Sequence, residues 1–218
     1  MSRPPRAVLF DAVGTLIQLR EPVGVTYARL AGTGDPAALQ TAFAAVMRRR
    51  PPMIFPGLAP ADVPAAERAW WQALVEEAFA AAGASLPEGA FGRLWRHYAG
   101  AAAWQVVPGA VELLRHLRAT GCRTGMVSNF DHRLRPLLVE LDLAALFDVV
   151  VLPADAGAAK PDPRIFQLAL ARLGVAPSDA HYVGDDAEDD IAGASAAGMR
   201  AIDVRADGLA SLAEEMYR

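Results

Sequence analysis

The feature that most constrains this chain is a series of short apolar runs, each ending at a polar residue and followed by a longer helical pattern. Ala7–Phe10 stops at Asp11, and 123–127 stops at Ser128 and Asn129. The Val-rich stretch 147–152 follows, 181–183 ends at Gly184 and Asp185, and 200–204 closes the series. Strands that are apolar at every position must be covered on both faces, and alternation with helices predicts that the sheet is parallel. The helices between them have readable ends. Pro108-Gly109 opens 109–120, with Val111, Leu114 and Leu117 on one face, and Pro163 opens 163–173 before Gly174. Asp131 is expected to cap a helix running to Leu141, acidic 188–198 to form another helix, and Asp207 or Gly208 to start a short last one. The predicted fold class is α/β, a doubly wound parallel-sheet (Rossmann-like) core.

Between the first strand and Val106 the pattern changes. From about residue 22 to 100 there are only Ala-rich helical segments, broken by Gly32-Thr33-Gly34, Arg50-Pro51-Pro52 and 56–64. Asp35-Pro36 is an N-cap followed by a first-turn proline. Trp70, Trp71, Leu74, Val75, Ala78 and Phe79 recur at helical spacing in 65–82. The expected organisation is a core from 1–17 and 103–218 with an all-helical cap domain, 18–102, inserted after the first strand. Such a cap belongs over the carboxyl ends of the strands, where open α/β sheets place their sites.

Several classes of protein are excluded. No apolar run approaches the ~18 residues a membrane helix needs. The run after Met-Ser-Arg-Pro-Pro-Arg is too short for a signal-peptide core. Cys122, the only cysteine, has no disulfide partner within the chain. The net charge of −4 is mild and interspersed, and Arg48-Arg49-Arg50 ends a helix rather than forming a nucleic-acid patch. A cytoplasmic protein is expected, monomer or homodimer, with neither nucleic acid nor membrane as partner.

Chemistry concentrates where polar residues interrupt strand ends. Asp11 follows a buried strand and precedes Gly14, which permits a tight turn. Ser128 and Asn129 offer a hydroxyl and an amide to anionic oxygens. Lys160 is the only lysine among 21 basic residues, so its compact ammonium stands out against 20 arginines. Residues 185–190 hold five acids in six positions, where 25 acids in 218 residues would place fewer than one. A hard divalent cation such as Mg²⁺ accounts for that density, because it prefers carboxylate and carbonyl oxygens. Acids complementing a helix N-terminus account for part of it too.

Taken in order, Asp11-x-Val13-Gly14-Thr15-Leu16, Ser128-Asn129, Lys160-Pro161 and Gly184-Asp185-x4-Asp190 resemble the haloacid dehalogenase-like hydrolase superfamily. Within it, the chain is similar to a subgroup that reads Pro-Val-Gly-x-x-Tyr (22–27), Trp-Gln-Val (104–106), Ser-Asn-Phe-Asp (128–131) and Lys-Pro-Asp-Pro-Arg-Ile-Phe (160–166). The resemblance implies that Asp11 attacks phosphorus and forms an aspartyl-phosphate. It implies Mg²⁺ held by Asp11, the Val13 carbonyl and Asp185, with Asp190 alongside or through water. Ser128 and Asn129 would bind phosphoryl oxygens, and Lys160 would neutralise charge there. The expected activity is Mg²⁺-dependent hydrolysis of a small phosphorylated metabolite.

One position departs from the family pattern. Its phosphatases carry a second aspartate, a general acid and base, two residues after the nucleophile; here Val13 stands there. An isopropyl group transfers no proton, so the expectation is a slower phosphatase, one acting on substrates with good leaving groups, or one that borrows a proton carrier from the cap, where His97 is available, or from the substrate. The alternatives are a metal-independent 2-haloacid dehalogenase and a catalytically weak phosphate-binding domain. The acids at 185–190 would repel a haloacid carboxylate, and the retained Asp11, Ser128, Lys160 and Asp185 weigh against lost catalysis.

Overall fold

A computed structural model describes residues 4–205 together with 208, 209 and 212. The chain divides into two compact units, one from Met1–Gln18 and Val106–Arg218, the other from Leu19–Gln105.

The first unit is built on five parallel strands: β1 (Ala7–Phe10), β4 (Arg123–Val127), β5 (Val149–Val151), β6 (Ala180–Gly184) and β7 (Arg200–Asp203), in the order β5-β4-β1-β6-β7. The numbering leaves room for two short strands, β2 (Ile17–Leu19) and β3 (Trp104–Val106). They pair as a separate ribbon where the chain passes between units. Central β1 is wholly buried, which is why it tolerates no polar residue before Asp11. Leaving β1, the chain builds outward through β4 and β5, then returns to β6 on the other side of β1. The direction of winding therefore reverses between β1 and β6, and the crevice at their carboxyl ends is where such sheets bind ligands.

The helices of this unit are α5 (Ala110–Ala119), α6 (Leu134–Glu140), α7 (Pro153–Ala156), α8 (Pro163–Leu173) and α9 (Gly193–Ala196). Helix α8 buries Ile165, Phe166, Ala169, Leu170 and Leu173 against Leu9, Val127 and Tyr182. Asp162 caps it by accepting from the Arg164 N–H, and Gly174 ends it with φ 65°.

Two helical expectations change. Helix α6 starts at Leu134, because the Asp131 carboxylate bonds the Arg133 backbone N–H and guanidinium instead of capping a longer helix. The segment expected as one helix over 188–198 is a π-helical turn, Ala187–Ala192, running into α9. The last expected helix falls mostly outside the described residues.

The second unit contains α1 (Val23–Ala31), α2 (Pro36–Arg49), α3 (Val63–Ala81) and α4 (Ala90–Ala99). Its core gathers Tyr27, Leu39, Val46, Leu74, Phe79 and Leu94. Tyr27 stacks on Phe79 at 5.9 Å and meets Phe43 edge-on at 5.8 Å. Trp70 and Trp71 pack against this core, and the Trp70 indole N–H donates to the Pro51 carbonyl. The triple-arginine run ends α2 as expected; Arg49 and Arg50 pair with Glu77 of α3. Among the described residues no helix is long and apolar enough to cross a membrane.

Candidate active site

The first parent of the site is the loop after β1. The Asp11 N–H extends the ladder to the Val183 carbonyl at 2.9 Å, fixing the residue over the crevice while it stays 5% exposed. The chain then folds back on itself: the Leu16 and Ile17 N–H groups both donate to the Ala12 carbonyl at 2.9 Å, and Gly14 N–H donates to Ile17 at 2.8 Å. Gly14 takes φ 93°, and a Cβ there would lie 2.4 Å from Asp185 Oδ2. A glycine is thus required both for the turn and for its close approach to the second acidic segment. Val13, between Ala12 and Gly14, is 38% exposed.

Lys160 is the hub. Its ammonium lies 2.6 Å from Asp11 Oδ1, 2.5 Å from Asp190 Oδ1 and 3.2 Å from the Tyr182 hydroxyl, and the side chain is almost fully buried. Asn129 holds the backbone of this lysine: its Oδ1 accepts from the Lys160 N–H at 2.7 Å, and its Nδ2 donates to the Lys160 carbonyl at 3.0 Å. The second Nδ2 hydrogen goes to Asp189 Oδ2 at 3.1 Å. Both amide hydrogens are committed, so Asn129, expected to bind phosphoryl oxygens, instead positions Lys160 and has no donor left over. Ser128, beside it at the end of β4, is buried, and its hydroxyl has no hydrogen-bond partner among the described residues.

The acidic segment divides its labour. Asp190 accepts four bonds: from Lys160 and the Tyr182 hydroxyl on Oδ1, and from the Asp185 and Asp186 N–H groups, both at 3.0 Å, on Oδ2. Those bonds occupy the lone-pair sites of a carboxylate. Asp190 therefore acts as the brace of the loop, which sets it apart from a carboxylate free for a cation. Asp186 caps the π-helical turn by accepting from the Glu188 and Asp189 N–H groups. Glu188 and Asp189 stand in its first turn, where acids complement the dipole. Asp185 differs from Asp186, Asp189 and Asp190: among the described residues nothing donates to its half-buried carboxylate.

The electrostatics follow from this crowding. Asp11, Asp185, Asp189 and Asp190 face one buried ammonium. Burial pushes Asp11 above the usual carboxylate range against the pull of Lys160. Burial, then the neighbouring charges of Asp11 and Asp190, push Asp185 up to about 6. Burial opposes the Lys160 charge too, but Asp11 and Asp190 outweigh it and hold its pKa above the ordinary value. The cluster is short of positive charge. Carboxylate oxygens of Asp11, Asp185 and Asp190 lie within 4.8 Å of one another. An all-oxygen donor set with excess negative charge and an unbonded Asp185 fits Mg²⁺ or a similar hard cation.

A family model described as haloacid dehalogenase-like hydrolase matches residues 5–198. The human haloacid dehalogenase-like hydrolase domain-containing protein 3 is 36% identical over 207 residues, covering 89% of this chain and 79% of that protein. The chain belongs to the haloacid dehalogenase-like hydrolases. Solved members with the same fold include a phosphatase from Thermococcus onnurineus, 29% identical with a TM-score of 0.61, covering 91% of this chain and 85% of the other. They also include a protein described as a dehalogenase, 25% identical with a TM-score of 0.69, covering 94% and 86%. Since neighbours of this haloacid dehalogenase-like chain carry both descriptions, the choice of chemistry rests on the residues.

The sequence reading missed Tyr182. Fully buried in β6, it places its hydroxyl 2.9 Å from both the Val127 carbonyl and Asp190 Oδ1 and offers a lone pair to Lys160. The available signal was a tyrosine inside an otherwise apolar strand, because a buried phenol must find partners.

Proposed function

We propose that this hydrolase is a cation-dependent phosphatase of small phosphorylated metabolites, with Asp11 as the phosphoryl acceptor. The observation that carries the reading is the pairing of Asp11, bridged to a buried ammonium, with Asp185, a nearby carboxylate to which nothing donates among the described residues. Asp11 and Asp185 would hold Mg²⁺, which supplies charge neutralisation to the transferring phosphoryl group when bound. Lys160 favours the ionised form of Asp11 against the opposing effect of burial, aims it, and offers positive charge to the phosphoryl oxygens. Tyr182 and Asp190 hold that ammonium and Asn129 holds the backbone of Lys160, so little reorganisation accompanies the reaction. The Ser128 hydroxyl, without a partner among the described residues, is available to a phosphoryl oxygen. Dehalogenation is disfavoured by the same cluster, since a haloacid carboxylate would have to enter a field that is already too negative.

The test is hydrolysis of p-nitrophenyl phosphate with Mg²⁺ and with EDTA, beside release of chloride from 2-chloropropionate. Turnover of the phosphate ester should fall to background on chelation and return on adding Mg²⁺. Chloride release that survives EDTA would overturn the reading.

A further inference from the structure

Val13 is the exposed side chain of the nucleophile loop, two residues from Asp11, and it carries no proton. Around Asp11 in the same unit, the Asp185 carboxylate and the Ser128 hydroxyl are open among the described residues, and the proposed reading commits them to the cation and to a phosphoryl oxygen; the other polar groups are already engaged. The Lys160 ammonium is shared by Asp11, Asp190 and Tyr182, and the Tyr182 hydroxyl serves Val127 and Asp190. Asp190 has four donors, and Asp189 accepts from Asn129. No group in this set is placed to hand a proton to a departing oxygen or to take one from an attacking water.

From this we infer that the enzyme acts on phosphoryl compounds whose leaving group departs as a stable anion, such as acyl phosphates and phosphates of acidic phenols. Ordinary alkyl phosphates are poor substrates. The inference rests on Asp11 being the phosphoryl acceptor. In the first transfer an Asp11 oxygen bonds to phosphorus as the phosphorus–oxygen bond to the leaving group breaks. The leaving group takes that electron pair. A carboxylate or an acidic phenolate is stable with it; a sugar or glycerol alkoxide is not, unless protonated. In the second transfer water oxygen bonds to phosphorus, the bond to Asp11 breaks and restores the carboxylate, and the proton of water goes to solvent or to the released phosphate. With no base to assist it, this step is slow and phosphorylated Asp11 accumulates.

The experiment compares kcat/KM for acetyl phosphate, p-nitrophenyl phosphate, phenyl phosphate and glycerol 3-phosphate with Mg²⁺ present. Acid-quenched enzyme is weighed by mass spectrometry for one added phosphoryl group. General acid–base assistance is typically worth about 10²–10⁴-fold, so kcat/KM should fall by that order from acetyl phosphate to glycerol 3-phosphate. Phosphoenzyme should be abundant with acetyl phosphate. Val13→Asp should raise turnover of glycerol 3-phosphate by at least about tenfold and lower the trapped phosphoenzyme. The wild-type series stands by itself if that variant fails to fold. Alkyl and acyl phosphates turned over within about tenfold of each other would overturn the inference while leaving Asp11-dependent phosphatase activity in place. No turnover and no phosphoenzyme with any of the four would overturn the phosphatase reading as well.

Discussion

Asp11→Asn should lower phosphate-ester turnover by about 10⁴-fold or more, because an amide neither attacks phosphorus nor leaves from it. The fold should survive. Burial raises the folded-state pKa of Asp11, so any stability this group contributes is present at low pH and lost as pH rises through that value. At neutral pH its ionised form is a net burden on the folded state. The Asn oxygen can still accept from the Lys160 ammonium 2.6 Å away. The expected result is therefore an inactive enzyme whose melting temperature is unchanged or higher. Steady-state kinetics and a thermal melt at pH 7 check both parts. A variant that turns over normally would remove Asp11 from the chemistry, and one that unfolds would recast it as a structural residue.

Lys160→Met should have the largest effect on stability. Among the described residues the ammonium is the only positive partner of the buried Asp11–Asp190 pair, and removing one member of such an arrangement typically costs about 3–5 kcal/mol. Folded proteins are stable by roughly 5–15 kcal/mol, so this is a large fraction of the total. The sign holds across the neutral range: the folded-state pKa of Lys160 is raised, so its stabilisation is lost only as pH climbs through that value. Turnover should fall at the same time by about 10³-fold, since a charge aimed at the phosphoryl group is lost. Urea unfolding at pH 7 measures the stability loss. Adding Asp11→Asn to Lys160→Met should restore part of it by removing one orphaned carboxylate, and this coupling is what a double-mutant cycle reads. Unchanged stability in the single variant would mean that the buried cluster is neutral rather than charged.

Which parts of this site were legible depended on the range of the interaction involved. Asp11, Ser128, Lys160 and Asp185 could be singled out because each follows an apolar run or breaks the local composition. The strands read well for the same reason: an uninterrupted apolar run such as 7–10 has few other places to go. The allocation of hydrogen bonds did not read. Whether Asn129 faces a phosphate or straps Lys160 depends on contacts between residues 31 apart in sequence. Whether Asp190 is free or spent depends on Tyr182, Lys160 and two backbone N–H groups converging on one carboxylate. The π-helical turn was hidden likewise. Acid-rich residues after a strand end predict a helix start, but not that Asp190 and Ile191 N–H groups both reach back to the Asp186 carbonyl.

The solitary lysine has a practical consequence. Reagents that acylate side-chain amines have one target in the chain, and in the native fold it is sealed between two carboxylates and a phenol. Modification at Lys160 should therefore track opening of the core rather than surface reactivity. The rate at which a peptide containing residue 160 acquires the label becomes a clock for unfolding, with no introduced probe. A bound phosphate analogue that tightens the site should slow that clock, which gives a ligand assay that never requires the enzyme to turn over.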